Sequence, residues 1–380
     1  MSATLPRVTV LGAGFAGLEL ATQLSEAVGE KVRVTLIDHG SAFVFGYSKL
    51  DVMFGLATPE EVRLPYDRFV KPGVRLLRER VLAIDPATRT VRTDAGTHEA
   101  DYLVVALGAD YDVAATPGLA DANEFYSVAG ATRLREILPA FDRGRVLVGV
   151  CGAPYKCPPA PSECVLMLHD MLVRRGVRPQ CEITLVLPLP SPVPPSPETS
   201  RALLAAFEER GIRFLPNRKI AAVDVARRIA TLDDGSELPW DLFLGVPKHR
   251  APAVVEAAGL MAEDGFVPVN PRTLETRFAH VYACGDLANT GTPKAGVFAE
   301  GAAKAVASAL VARIRGQGQA DLYAGRGACY IEFGGGRIGR VEVDFFSGPK
   351  PTGVYHEPDL ASRADKEQFG ASRKARWFGL

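Results

Sequence analysis

The first forty residues constrain this chain more than any other part of it. Residues 7–11 (RVTVL) form a β-branched apolar run, and Gly12-Ala-Gly14-Phe15-Ala16-Gly17 follows directly. A helical stretch then reaches about Glu26, and a second strand, Val32 to Ile37, ends in Asp38. Strand, GxGxxG, helix, strand and acid make the dinucleotide-binding fingerprint in the context that gives it specificity. Each glycine has its own duty. Gly12 makes the tight turn, Gly14 admits a pyrophosphate against the backbone, and Gly17 lets the helix pack on the strand. The helix N-terminus at Phe15 and Ala16 offers free N–H groups and a positive dipole end to phosphates. Asp38, with His39 after it, suits a ribose 2′-hydroxyl and repels a 2′-phosphate.

An internal near-repeat with an offset of about 139 residues extends this pattern. Gly73–Leu77, Val81–Asp85 and Asp94–Gly96 are echoed by Gly211–Leu215, Ile220–Asp224 and Asp234–Gly235. Both copies run into an acid-led apolar strand, from Asp101 and from Asp241. Each copy reads as a βαβ unit with an inserted β-meander. A third block, with a strand at His280–Cys284, a turn at Gly285–Asp286 and a helix beginning near Lys294-Ala295, returns to the first domain. The expected fold is α/β: two Rossmann-like dinucleotide-binding domains with a small C-terminal α+β domain. Residues 1–112 and 266–320 form the first, 113–265 the second and 321–380 the cap. The proline-crowded stretch from Pro188 to Pro197 predicts an extended surface loop, with Pro197 at the first position of a helix.

The second copy departs from the first where chemistry is decided. Its strand Arg145–Val150 runs into Cys151-Gly-Ala-Pro-Tyr-Lys-Cys157-Pro-Pro-Ala-Pro-Ser-Glu163, with Gly152 as its one glycine. A loop short of glycines and of N–H donors cannot cradle a phosphate. The next strand, Glu182–Leu187, ends without an acid or a base for a ribose. The expectation is a dinucleotide fold that has lost its nicotinamide site. In its place stands Cys157, just before a helix and beside Lys156, a setting that predicts a lowered thiol pKa and a nucleophile. Glu163, in the first turn, can exchange protons. A structural thiol is the competing reading of Cys157. Cys329, at the start of a later strand, reads as a core cysteine from its neighbours alone. Cys284, Cys181 and Cys164 look structural, and Cys151 is ambiguous. The cysteine and histidine spacings support no metal site.

Lys+Arg and Asp+Glu both number 44, so nothing favours nucleic acid as a partner. Six cysteines in 380 residues make no disulfide scaffold. The sequence offers neither an apolar run long enough to cross a membrane nor a signal-peptide pattern, and a cytoplasmic protein is the expectation.

Six segments together resemble a known family: GAGFAG at 12–17, VVALGAD at 104–110, KCPPAPSE at 156–163, YACGDLAN at 282–289, PKAGVFAEG at 293–301 and CYIEFG at 329–334. The chain is similar over nearly its whole length to sulfide:quinone oxidoreductases and to the flavoprotein subunit of flavocytochrome c sulfide dehydrogenase. The cysteine loop paired with the CYIEFG strand is the particular part. The resemblance implies an extended FAD, with pyrophosphate at Gly12–Gly17 and adenosine ribose at Asp38. The backbone at Val81 and the Ala106–Gly108 turn would flank the adenine end. Gly285 and Asp286 would meet the ribityl and phosphate region, with Lys294 and Ala295 by the pyrimidine end of the flavin. It further implies that Cys157 and Cys329 form a redox pair attacked by sulfide or a small thiol, with Glu163 as acid/base. Electrons would pass through FAD to a quinone, or to a cytochrome c in the related subunit.

The departures carry information too. The cysteine that attaches flavin covalently in some members is absent from 43–55 and 118–131, so FAD is expected to be non-covalent. The tail from Glu357 to Leu380 is short and basic. Trp377 and Phe378 either dip weakly into a membrane surface or, as the charges favour, pack on the first domain. A type II NADH dehydrogenase or ferredoxin-reductase-like enzyme is disfavoured by the loop at 149–163, and a flavin-binding sensor would need no paired thiols. The oligomeric state is left open.

Overall fold

The computed structural model describes residues 5–380; the first four residues, placed by the sequence in the first domain, lie outside the described residues. Arg7–Leu11 is buried from Val8 onward, as a central parallel strand covered on both faces must be. It pairs in parallel with Arg33–Asp38 on one side and Tyr102–Val105 on the other. The full sheet runs Val281–Ala283, Tyr102–Val105, Arg7–Leu11, Arg33–Asp38, Val74–Arg78. Strand order reverses beside Arg7–Leu11, so a crevice opens at the carboxyl ends there, where ligands bind in open α/β sheets.

A second parallel sheet runs Ile212–Leu215, Cys181–Val186, Gly144–Val150, Leu242–Val246. Each sheet has its own antiparallel meander, Val81–Asp85 with Thr90–Thr93 and Thr97–Glu99, and Ile220–Asp224 with Ile229–Leu232 and Glu237–Pro239. The likeness between copies reaches their irregularities. Both meanders break register at the equivalent place, Val81/Ala83 and Ile220/Ala222. Both turns hold an arginine at positive φ, Arg89 at 60° and Arg228 at 54°. In each copy the acid leading the last strand accepts the first strand's opening N–H: Asp101 from Arg7 and Asp241 from Arg145, both at 2.8 Å. The architecture is the α/β, two-Rossmann fold that the sequence calls for.

The C-terminal part is an antiparallel sheet of Arg326–Glu332, Ile338–Asp344 and Thr352–Asp359 followed by the helix Ala361–Arg373. Arg326–Glu332 packs on both the helix Ala160–Arg174 and the helix Gly296–Arg315. That placement carries Cys329 towards the second copy's rebuilt loop. The loop is itself stitched to the first sheet's side: Lys156 bridges to Lys294, and the Cys157 N–H donates to the Lys294 carbonyl at 2.7 Å.

One expectation is corrected here and one choice is decided. The 188–197 stretch is bent rather than extended, with Pro192, Val193 and Ser196 buried, because Ser200 bonds both the N–H and the carbonyl of Val193 and folds it back. The tail packs on the first domain, as its charges favour: Trp377 and Phe378 are buried in a cluster with Phe15, Phe43 and Phe69. Among the described residues, no helix is long and apolar enough to cross a membrane.

Candidate active site

A cavity of about 410 Å³ runs from the first glycine turn to the C-terminal sheet. Of the residues singled out from sequence, Gly12, Gly14, Phe15, Ala16, Asp38, Ala106, Gly108, Gly285, Asp286, Lys294 and Ala295 line it, as do Cys157, Glu163 and Cys329. Gly17 stands behind the wall: a Cβ there would come within 1.8 Å of the Gly12 carbonyl oxygen, so its duty is packing. Val81 and the exposed His39 are not part of the lining.

The first end suits a dinucleotide. Gly12 has φ +98°, and a Cβ on it would lie 2.4 Å from the Ala106 oxygen. A Cβ on Gly14 would meet no protein atom within 4 Å, which leaves the space a pyrophosphate needs. Two helices, Phe15–Val28 and Gly296–Arg315, aim their N-termini at the cavity with no side-chain cap and no acid in the first turn. Their N–H groups are therefore available to an anion. Asp38 accepts N–H bonds from Ala13 and Gly40, both at 2.7 Å, which fixes its carboxylate at the strand end.

At the other end Cys157 sits at positive φ (48°), a conformation held by the Lys294 carbonyl and by its own carbonyl accepting the Ala160 N–H. The lowered thiol pKa expected from sequence is not found. Burial pushes Cys157 well up, and neighbouring Glu163 and Cys329 add to it; Lys49 and the Ala160 N–H pull the other way. Lys156 does not offset this, because its ammonium lies over the Tyr111 ring, 4.4 Å from the centroid. Cys329 is pushed up to about 12 by burial and Glu163. Glu163 is itself buried, accepts the Glu332 N–H at 3.1 Å and is raised to about 7. Desolvation is the main cause, opposed by Lys366. A carboxyl so placed can hold or release a proton near neutral pH.

Lys294 is buried, with its ammonium 3.6 Å from the Phe266 ring centroid and donating to the Ala288 carbonyl at 3.3 Å. Burial lowers it to about 8, against Asp286 and Asp264.

Sequence reasoning missed several lining residues. Lys49, on the short helix Ser48–Met53, lines the cavity, and burial lowers it to about 8. Lys366 reaches in from the C-terminal helix and pairs with Glu332 at 2.6 Å, close to Tyr47, Tyr330 and Phe369. Asp51 beside them is raised by burial. None of these sits in a motif whose spacing marks it; the one available signal for Glu332 is its place in CYIEFG. Among the described residues no group of three or more His, Cys, Asp and Glu side chains stands together as a metal site.

A family model described as pyridine nucleotide-disulphide oxidoreductase matches residues 6–312. The mitochondrial sulfide:quinone oxidoreductase of Mus musculus is 24% identical over 367 residues, covering 91% of this chain and 79% of the relative. The crystal structure of the sulfide:quinone oxidoreductase from Aquifex aeolicus superposes with a TM-score of 0.86 at 24% identity, covering 98% of this chain and 91% of that one. The type II NADH:quinone oxidoreductase of Staphylococcus aureus is 28% identical over 276 residues, but spans 64% of this chain and 69% of its own.

Proposed function

This chain belongs to the pyridine nucleotide-disulphide oxidoreductase family, and on that premise we propose that it is an FAD-dependent sulfide:quinone oxidoreductase working through Cys157 and Cys329. One observation carries the reading: these two cysteines, from the second copy's loop and from the C-terminal sheet, line one cavity with Glu163 and with the dinucleotide turn. The names of the relatives similar over most of the chain agree with it. The likeness to a type II NADH enzyme covers less of the chain, and the loop at 151–163 lacks the glycines a second phosphate site needs.

In this proposal oxidised Cys157 and Cys329 share a sulfur–sulfur bond. Hydrosulfide opens it, leaving one cysteine as a hydropersulfide and the other as a thiolate. Glu163, poised near 7, takes up the hydropersulfide proton. Gly12–Gly17 and Asp38 would hold FAD non-covalently, and bound there it would supply the two-electron acceptor between the sulfurs and a quinone. Burial disfavours free thiolates at both cysteines, so the residues favour joining the deprotonated persulfide and the thiolate as a trisulfide, the bond whose formation releases the two electrons. Tyr47, Tyr330 and Phe369 offer a flat apolar end for a quinone ring, with Lys366 and Glu332 there to deliver protons. Cys157→Ser and Cys329→Ser test the thiol chemistry by stopped-flow. Each retains FAD and loses sulfide-driven flavin reduction by at least about 1000-fold; a variant that reduces its flavin at the parent's rate contradicts the proposal.

A further inference from the structure

We propose that Lys49, Lys156 and Tyr111 form a recess for a small, singly charged anion beside Cys157, and that it receives the anionic sulfur of the substrate. The substrate assignment rests on the sulfide reading above; the anion recess does not. Lys49 and Lys156 both line the cavity with Cys157. Their ammonium groups converge on one atom, the Tyr111 hydroxyl oxygen, at 3.3 and 3.4 Å. That hydroxyl donates its own hydrogen to the Tyr126 carbonyl at 2.8 Å, so towards the lysines it is an acceptor only.

Each ammonium has three N–H donors, and the Tyr111 oxygen is the one protein acceptor either lysine meets among the described residues. Neither forms an ion pair with a described carboxylate; Asp286 acts on both from a greater distance. Two cations held together with donors to spare are a costly arrangement unless an anion joins them.

The neighbouring histidine registers the same field. His249 is buried against the Tyr111 and Tyr126 rings and its Nε2 has no partner. It is driven down to about 3 by burial and by Lys156, Lys49 and Lys294. Dinucleotide phosphates have their own donors at the helix N-termini, so they do not account for the lysines. The carbonyl end of the Cys157 turn is held by Ala160 and Tyr126, and the residue lines the same cavity as the two lysines, with Lys49 acting on its thiol.

The test is calorimetric titration of the oxidised holoenzyme with thiocyanate, a monovalent, sulfur-terminated anion. The parent binds it, and Lys49→Met and Lys156→Met each weaken binding about tenfold or more, the worth of one charge-assisted hydrogen bond. Lys49→Arg and Lys156→Arg keep the charge and retain binding, which separates loss of the site from loss of fold. No thiocyanate binding by the parent, or equal affinity in the Met variants, overturns the proposal. So does a fall in flavin reduction potential with thiocyanate affinity unchanged, which would assign the lysines to the flavin. Thiocyanate binding that depends on the lysines in a protein whose flavin sulfide does not reduce would sink the sulfide reading and leave the anion recess standing.

Discussion

Glu163 shows how burial sets chemistry at a single residue. Its carboxyl is raised from 4.5 to about 7, chiefly by desolvation. Between those values the folded protein binds a proton that the unfolded chain has released, so this group's contribution to stability falls as pH rises through that window. Glu163→Gln removes the effect. The variant should melt above the parent at pH 8, by on the order of 3 kcal/mol, and the gap should close towards pH 5. The same substitution should slow sulfide-driven flavin reduction by on the order of 100-fold and abolish its pH inflection near 7. A variant with the parent's pH profile would show that another group moves the proton. Cys157 and Glu163 stand out in the sequence because a proline-rich loop marks them, whereas Cys329 reads as core from its neighbours and joins them only through the CYIEFG resemblance. The thiol pKa runs against the local pattern: a helix N-terminus and an adjacent lysine favour a thiolate, whereas the enclosing cavity and the carboxyl of Glu163 push the thiol up. Lys49 and Lys366 were illegible for a related reason. Each is one lysine on an ordinary helix, and only the packing of distant segments brings it to the sulfur site.

At the scale of elements, the first glycine turn separates two roles that one motif combines. Gly12→Ala puts a Cβ 2.4 Å from the Ala106 oxygen on a backbone at φ +98°, and should cost about 3 kcal/mol even without cofactor. Gly14→Ala meets no protein atom. It should leave the melting temperature of the FAD-free protein unchanged and weaken FAD at least about tenfold, read by flavin fluorescence. Equal effects of the two substitutions on the FAD-free protein would remove the distinction. The duplication was legible as well, because both copies obey the same βαβ and meander constraints, whereas the paired bulges show only in the fold. The C-terminal tail was legible only as a choice. What decides it is Glu19, buried on the first helix, which takes the Arg376 guanidinium at 3.0 and 3.1 Å and the Trp377 N–H at 2.9 Å. Arg376→Ala leaves that carboxylate short of its counter-charge and should cost about 2 kcal/mol. Adding Glu19→Gln should recover part of the loss; a double variant with strictly additive losses would show no coupling between tail and helix.

Across the whole molecule, two dinucleotide-type units of one pattern carry different parts of one cavity. The first keeps its glycine turn, its acid and its open helix N-terminus. The second keeps the sheet but spends its loop on Cys157, stitched to the Lys294 loop, while the C-terminal sheet brings Cys329 to the same cavity. The charge count is equal over the whole chain, while the lysines lining the cavity with Cys157, Lys49 and Lys156 among them, gather positive charge locally. The central claim is that electrons enter from sulfide and not from a nicotinamide. It is tested most directly by mixing the oxidised, FAD-loaded protein anaerobically with sulfide and, separately, with NADH while following flavin absorbance. Bleaching by sulfide within the mixing experiment, with NADH inert, is the expected result; rapid bleaching by NADH with sulfide inert would contradict it.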